Sequence, residues 1–240
     1  MLASIRRNQG FALIVVLSTL SIVALLFAIT SNRFLAGQAY TEAELELGRF
    51  QQENQALAEL AIGVFGPGSN QIDPQTSLVF QQNGRELTLI LQDVGGLIDL
   101  NTAGPELLNA LFKALEIPDA AVEQFREWRR KSYRLHSVAD FARVADTPYE
   151  DGLRLREFAT VHSGRFGIAP DWAPQGLMAL LAGSKSSEGA QSLEIPRVWQ
   201  TSASRVTFRV DLWEAGRFLR FVGVVHLGNP GVDGRILELY

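Results

Sequence analysis

The sequence predicts an α+β protein: a long N-terminal helix, an antiparallel sheet, and an all-helical segment inserted between strands of that sheet. Three observations predict it. Residues 11–31 are an apolar run without a single charged side chain. Alternation typical of strands occurs over 77–91 and again over 205–239. Between these two stretches, residues 96–183 show helical apolar spacing broken by short turn signals, an order that two independent domains in series would also give.

The first ten residues are basic, with Arg6 and Arg7 and no acid. The apolar run behind them, Phe11 to Ser31, is long enough to cross a bilayer, since about 20 helical residues cover roughly 30 Å. It exceeds the roughly 7–15 residues of a cleaved secretory signal. Arg6 and Arg7 place the N-terminus on the cytoplasmic side and the rest of the chain outside. An uncut signal anchor satisfies the same observations.

From Arg33 to Val64 there is no proline, and Leu35, Ala39, Ala43, Leu47, Phe50, Ala56 and Leu60 recur at roughly helical spacing. This predicts an amphipathic continuation of the helix, ended by Gly66-Pro67-Gly68-Ser69-Asn70. Ser77–Phe80 and Glu86–Leu91 then read as a hairpin. Asn83-Gly84 between them suits a type I′ turn, which needs positive φ at both positions.

Ile98-Asp99-Leu100-Asn101-Thr102-Ala103 precedes Pro105 and a helix over 106–115, which Thr102 or Asn101 is expected to cap. Ile117-Pro118-Asp119 links it to a helix over 120–131, and a second helical pair follows to Gly164. Ile98, Ala103, Leu107 and Leu111 match Ile168, Ala173, Leu177 and Leu181 at one fixed offset, a half-repeat. Gly183 to Gly189 is a linker. Arg205–Trp213 is expected to turn Val206, Phe208, Val210 and Leu212 inward and Arg205, Thr207, Arg209 and Asp211 outward. Arg217–Leu227 returns, and Ile236–Tyr240 is a last strand. The domains expected are thus 1–10, 11–31, 32–95, 96–183 and 184–240.

Composition excludes several function classes. A net charge of −4 offers no large basic field for nucleic acid, and the absence of cysteine removes disulfides and thiolate metal sites. His136, His162 and His226 lie far apart, and no HExxH, GxSxG or phosphate loop occurs. No motif points to an enzyme.

The boundary Gly10–Phe11, with a basic leader before it and an uninterrupted apolar helix after it, resembles the class III signal of type IV pilins and type II secretion pseudopilins. The resemblance implies cleavage by a prepilin peptidase after Gly10 and methylation of the new N-terminal amine at Phe11. Most members carry Glu at the fifth position after the cut; here it is Val15, as is typical of the K-type minor pseudopilins. Ile98–Ala103 resembles the opening of that family's helical insertion, Leu135–Phe141 the start of its second helical pair, and Tyr149–Asp151 through Thr160–Gly164 the exit from that pair.

The resemblance covers nearly the whole chain. It implies a pilin-like long helix on an antiparallel sheet, with an inserted domain of helix-hairpin-helix or SAM-like type. It implies a single-pass inner-membrane protein with a periplasmic head and no catalytic or nucleic-acid role. The partners implied are the I- and J-type minor pseudopilins, the major pseudopilin, the prepilin peptidase and the inner-membrane assembly platform. Proteins of this type can bind calcium, and Asp99, Asp140, Asp146, Asp151 and Asp171 lie in turns or helix starts as weak candidate ligands. Two rivals remain. One is a minor pilin of a type IV pilus. The other is a membrane-anchored DNA receptor, which the hairpin Glu116-Ile117-Pro118-Asp119 disfavours, having no Gly and two carboxylates.

Overall fold

The computed structural model describes residues 3–66, 72–73, 76–183, 195–228 and 233–240, with the backbone alone at 3–14, 35–37 and 39. The chain forms two compact units, Met1–Glu53 and Asn54–Tyr240. Helix α1, Ala3–Phe65, supplies the described part of the first unit and the opening turns of the second. It ends at Gly66, where a Cβ would meet the carbonyl oxygen of Ile62 at 2.4 Å, so the close turn there needs glycine. The expected helix breaker continues into residues 67–70, outside the described residues, as do residues 184–189 of the expected linker.

In the second unit a five-stranded antiparallel sheet has the order β1-β2-β5-β6-β7. Its strands are β1 Ser77–Gln82, β2 Arg85–Asp93, β5 Thr207–Glu214, β6 Arg217–His226 and β7 Arg235–Leu239. The expected turn joins β1 to β2, with φ of 52° at Asn83 and 75° at Gly84. The sheet core is Leu87, Leu89, Leu91, Phe208, Val210, Leu212, Val222 and Val225, closed by Leu57, Ala58 and Ala61 of α1. The helix thus buries a stripe one position out of phase with the one expected: Ala56 and Leu60 are exposed, and Asn54, Leu57, Ala58 and Ala61 are buried. Asn54 fixes that phase. It donates to the carbonyl oxygen of Tyr240 (2.6 Å) and accepts from Arg220 Nε (3.0 Å).

The helical insertion leaves the sheet after β2. A 3₁₀ turn, Val94–Gly96, leads to β3, Ile98–Asp99. Helices α2 Pro105–Ala114, α3 Asp119–Arg130, α4 Asp140–Ala145 and α5 Tyr149–Arg156 follow. Strand β4, Ala159–Thr160, pairs in parallel with β3, and α6, Gln175–Gly183, packs by α2. The module has its own core, with Phe112, Phe125 and Phe141 in mutual ring contact at 5.1–5.8 Å. Ile195 and Trp199 belong to this core, so the module extends past residue 183. The residue before α2 is Gly104, without a side-chain cap, rather than Thr102 or Asn101. Those two side chains bond elsewhere, as described below.

Candidate functional site

In the first unit the apolar segment Val15–Phe34 has a mean hydropathy of 2.0 and none of it is buried in protein. Val15 is exposed. The hydroxyls of Thr19, Ser21 and Thr30 donate back to the carbonyl oxygens of Val16, Leu17 and Leu26 at 2.9 Å. Polar groups satisfied within the helix are what a hydrocarbon environment requires. Gly10 and Phe11 lie within α1, where only the backbone is described; Met1 and Leu2 lie outside the described residues.

In the second unit the motifs read from the sequence meet at the root of the module. Asp93, fully buried, ends β2. Its Oδ1 accepts from the amides of Gly95 (2.6 Å) and Ser204 (2.9 Å), and its Oδ2 from the amide of Arg205 (2.6 Å). One carboxylate therefore joins the points where the chain leaves the sheet and returns to it. Asp99, also fully buried, does the same inside the module. Its Oδ1 accepts from the amides of Asn101 (2.8 Å) and Thr102 (3.2 Å), and its Oδ2 from Ser163 Oγ (3.1 Å) and the Gly164 amide (2.7 Å).

Asn101 reaches a third segment, donating to the Leu135 carbonyl oxygen (3.0 Å) and accepting its amide (2.8 Å). Thr102 Oγ1 donates to the carbonyl oxygen of Arg165 at 2.6 Å. Arg129 donates to the carbonyl oxygens of Asn101 (3.2 Å) and Ala103 (3.0 Å). Burial pulls the Arg129 pKa below its ordinary value, and the charge of Asp99 works against that shift. The three phrases that carry the family resemblance are thus tied to one another by hydrogen bonds.

Helices α2–α3 and α4–α5 are two copies of one hairpin, thirty residues apart. Glu116 and Asp146 hold the same left-handed position, with φ of 57° and 52°, and Pro118 and Pro148 precede the second helix of each pair. Leu111, Leu115 and Phe125 in the first copy correspond to Phe141, Ala145 and Leu155 in the second, all buried. The offset read from the sequence was a different one. It relates α2 to α6, whose Leu107, Leu111, Leu177 and Leu181 enter the same core. At both hairpin tips a carboxylate stands where a DNA-binding hairpin needs room for phosphate.

The module rests on the sheet through a polar seam. Arg209, read as outward-facing, is 4% exposed. It holds Asp211 through two hydrogen bonds of 2.8 Å and donates to the carbonyl oxygens of Arg156 (2.7 Å) and Glu157 (3.1 Å). Its guanidinium lies 4.5 Å from the centre of the Phe221 ring. Thr207 and Asp211 are likewise buried, because the module covers the sheet face on which they stand. Beside them His162 Nε2 is 2.8 Å from Glu238 Oε2, and Arg156 lies over the Tyr240 ring. Burial, with the charge of Glu238 adding to it, raises the Tyr240 pKa above the ordinary tyrosine value.

The five candidate calcium ligands do not converge. Asp99 is engaged as above. Asp140 accepts from the amides of His136 (3.3 Å) and Ser137 (3.1 Å) and from Arg143 (3.0 Å). Asp146 is the left-handed residue closing α4, Asp151 pairs with Arg154 at 3.8 Å, and Asp171 lies in a 3₁₀ turn, Pro170–Trp172. Among the described residues no three His, Asp or Glu side chains are grouped to hold a metal ion. The donor set present does not fit calcium, which takes six to eight oxygens.

No protein-family model matches the chain, and no curated protein does. Among solved structures it is similar to a chain of the GspK–GspI–GspJ complex from the type 2 secretion system of enterotoxigenic Escherichia coli. The identity is 12% and the TM-score 0.49, over 82% of this chain and 97% of that one. The likeness is one of outline and assigns no role to any residue.

Proposed function

We propose that the chain is a minor pseudopilin of a type II secretion system, of the K type. The observation that carries the reading is a mainly helical module, with one short parallel strand pair, inserted between two neighbouring strands of the sheet, in a chain that also carries an apolar, acid-free segment of membrane length, Val15–Phe34. The motifs around Asp99 and Ser163-Gly164, which are bonded to each other within that module, are among those on which the resemblance rests. The role is structural and no catalytic residue is assigned.

In this reading the leader is removed at Gly10–Phe11 and the apolar helix packs with those of the I- and J-type minor pseudopilins. A carboxylate at the fifth position would be costly in hydrocarbon unless paired with the amine of a neighbouring subunit. Val15 needs no such neighbour, which suits a subunit with none above it. The head, enlarged by the module, caps the complex, and the complex starts the pseudopilus that drives secretion across the outer membrane. Residence in the inner membrane with the head in the periplasm follows from the same reading.

The test is the intact mass of the protein made with and without a prepilin peptidase. The expected product has lost Met1–Gly10 and carries a methylated Phe11. A chain that stays whole, or is cut behind the apolar run, overturns the proposal. Co-purification with I- and J-type partners then separates it from a minor pilin of a type IV pilus.

A further inference from the structure

The module's surface is uneven in charge. The chain as a whole is acidic, yet Arg130, Lys131 and Arg134 surround Tyr133 in the turn between α3 and α4. All four are exposed, the tyrosine at 58%. The neighbouring basic residues are used internally: Arg126 binds Glu123 and Asn109, and Arg129 holds the carbonyl oxygens of Asn101 and Ala103. The side chains of Arg130, Lys131 and Arg134 meet no acceptor among the described residues, and Glu127, one helical turn before Lys131, pairs with none of them.

Cations at a helix C-terminus are favoured by the helix dipole, which accounts for Arg130 and Lys131 in part. It does not account for Arg134, which lies beyond the helix, or for the exposed ring. Tyr133 lies tilted against Trp128 at 5.8 Å, and Trp128 stacks on Phe125 at 6.1 Å, so ring contacts run from the core to the surface. Ser132 adopts a φ of 62°, a position that glycine fills at lower cost. The turn therefore carries three like charges close in sequence to a ring that packs on Trp128. Unpaired like charges gathered in one turn gain when an anionic partner relieves their mutual repulsion.

We propose that this turn docks an acidic protein segment, whose carboxylates meet Arg130, Lys131 and Arg134 and whose chain lies across Tyr133. Nucleic acid is the poorer fit. The hairpin tips carry Glu116 and Asp146, and the length of α3, about 18 Å, separates the first tip from the turn. The proposal does not depend on the secretion reading, because it concerns the head alone and its assay involves no peptidase.

The experiment uses the full chain in a neutral detergent and a fluorescein-labelled peptide of about a dozen residues rich in Glu and Asp, followed by anisotropy. We expect saturable binding that weakens as salt rises. The triple variant R130E/K131E/R134E should bind about tenfold more weakly, with Tyr133→Ala losing less and both melting as the native chain does. Should the triple variant melt early, R134Q, outside any helix, takes its place in the same comparison. Binding that is absent, or equal in native chain and variant, overturns the proposal. So does preference for a DNA duplex or for phosphatidylglycerol vesicles over the peptide.

Discussion

Asp99 illustrates how little a carboxylate reveals from its own position. In the sequence it is an acid in a turn, equally suited to a metal, a cap or solvent. What decides its role is Ser163-Gly164, far along the chain, whose hydroxyl and amide close on its second oxygen. Replacing it by alanine strips three amides and the Ser163 hydroxyl of their acceptor. Asp99→Ala should destabilise the head by about 3 kcal/mol or more, and Asp99→Asn by less, as measured by thermal melting. Asp140 offers a pH signature. Burial opposes its ionisation most strongly of any single influence, but Arg143 and the amides of Ser137 and His136 together hold its carboxyl below the usual range. Its stabilising contribution is therefore complete above the unfolded value near about 4 and is lost as pH falls through the lower folded value. Asp140→Asn should flatten the decline in melting temperature over that acid interval; an unchanged decline would count against this role.

Among the elements, those whose pattern is local were legible. The strand over 205–213, the turn at Asn83-Gly84 and the helices flanking Pro118 all appear within a few residues of where the spacing puts them. Phe208, Val210 and Leu212 face the core as alternation requires. Alternation cannot show that the opposite face, with Thr207, Arg209 and Asp211, is covered as well, since that depends on a segment remote in sequence. The stripe of α1 slipped by one position for a similar reason. Its phase is set by Asn54, a polar residue that hydrophobic spacing ignores, bonding to Tyr240 and Arg220. The two-residue strands β3 and β4 are too short to carry a period at all. The thirty-residue duplication is faint in the sequence because the copies share buried positions and a proline, with little residue identity.

At the scale of the molecule the second unit holds two apolar cores, one in the module and one under the sheet. Arg209 lies between them. Arg209→Met removes a buried cation from Asp211 and from two carbonyl groups, and breaking such a pair costs about 3–5 kcal/mol. We expect limited proteolysis to cut the module sooner in this variant, while amide hydrogen exchange in the edge strand β1 changes little. Equal protection in both proteins would show that the seam is not what holds the module. The order of the elements carries the α+β class, but it suits an insertion and two domains in series alike; the pairing of β2 with β5 decides for the insertion. The seam is not legible in that order, because its residues come from β5 and α5 and only the fold brings them together.

Asp93 has one more consequence. Its neighbours β2 and β5 are antiparallel, with Asp93 opposite Phe208. In a simpler protein a tight turn would join them. Topologically the whole of residues 94–206 is the loop of a β-hairpin, grown until it acquired a fold of its own. Closing a loop becomes costlier only slowly with length, by about 0.6 kcal/mol for each doubling. A self-folding loop meets most of that cost itself by bringing its two ends together, and the Asp93 carboxylate fastens them where they meet. The sheet then constrains the loop where the two meet, at the Asp93 clasp and along the Arg209 seam, and a lineage could enlarge or shrink the rest while leaving the strands, and the helix they cover, in place.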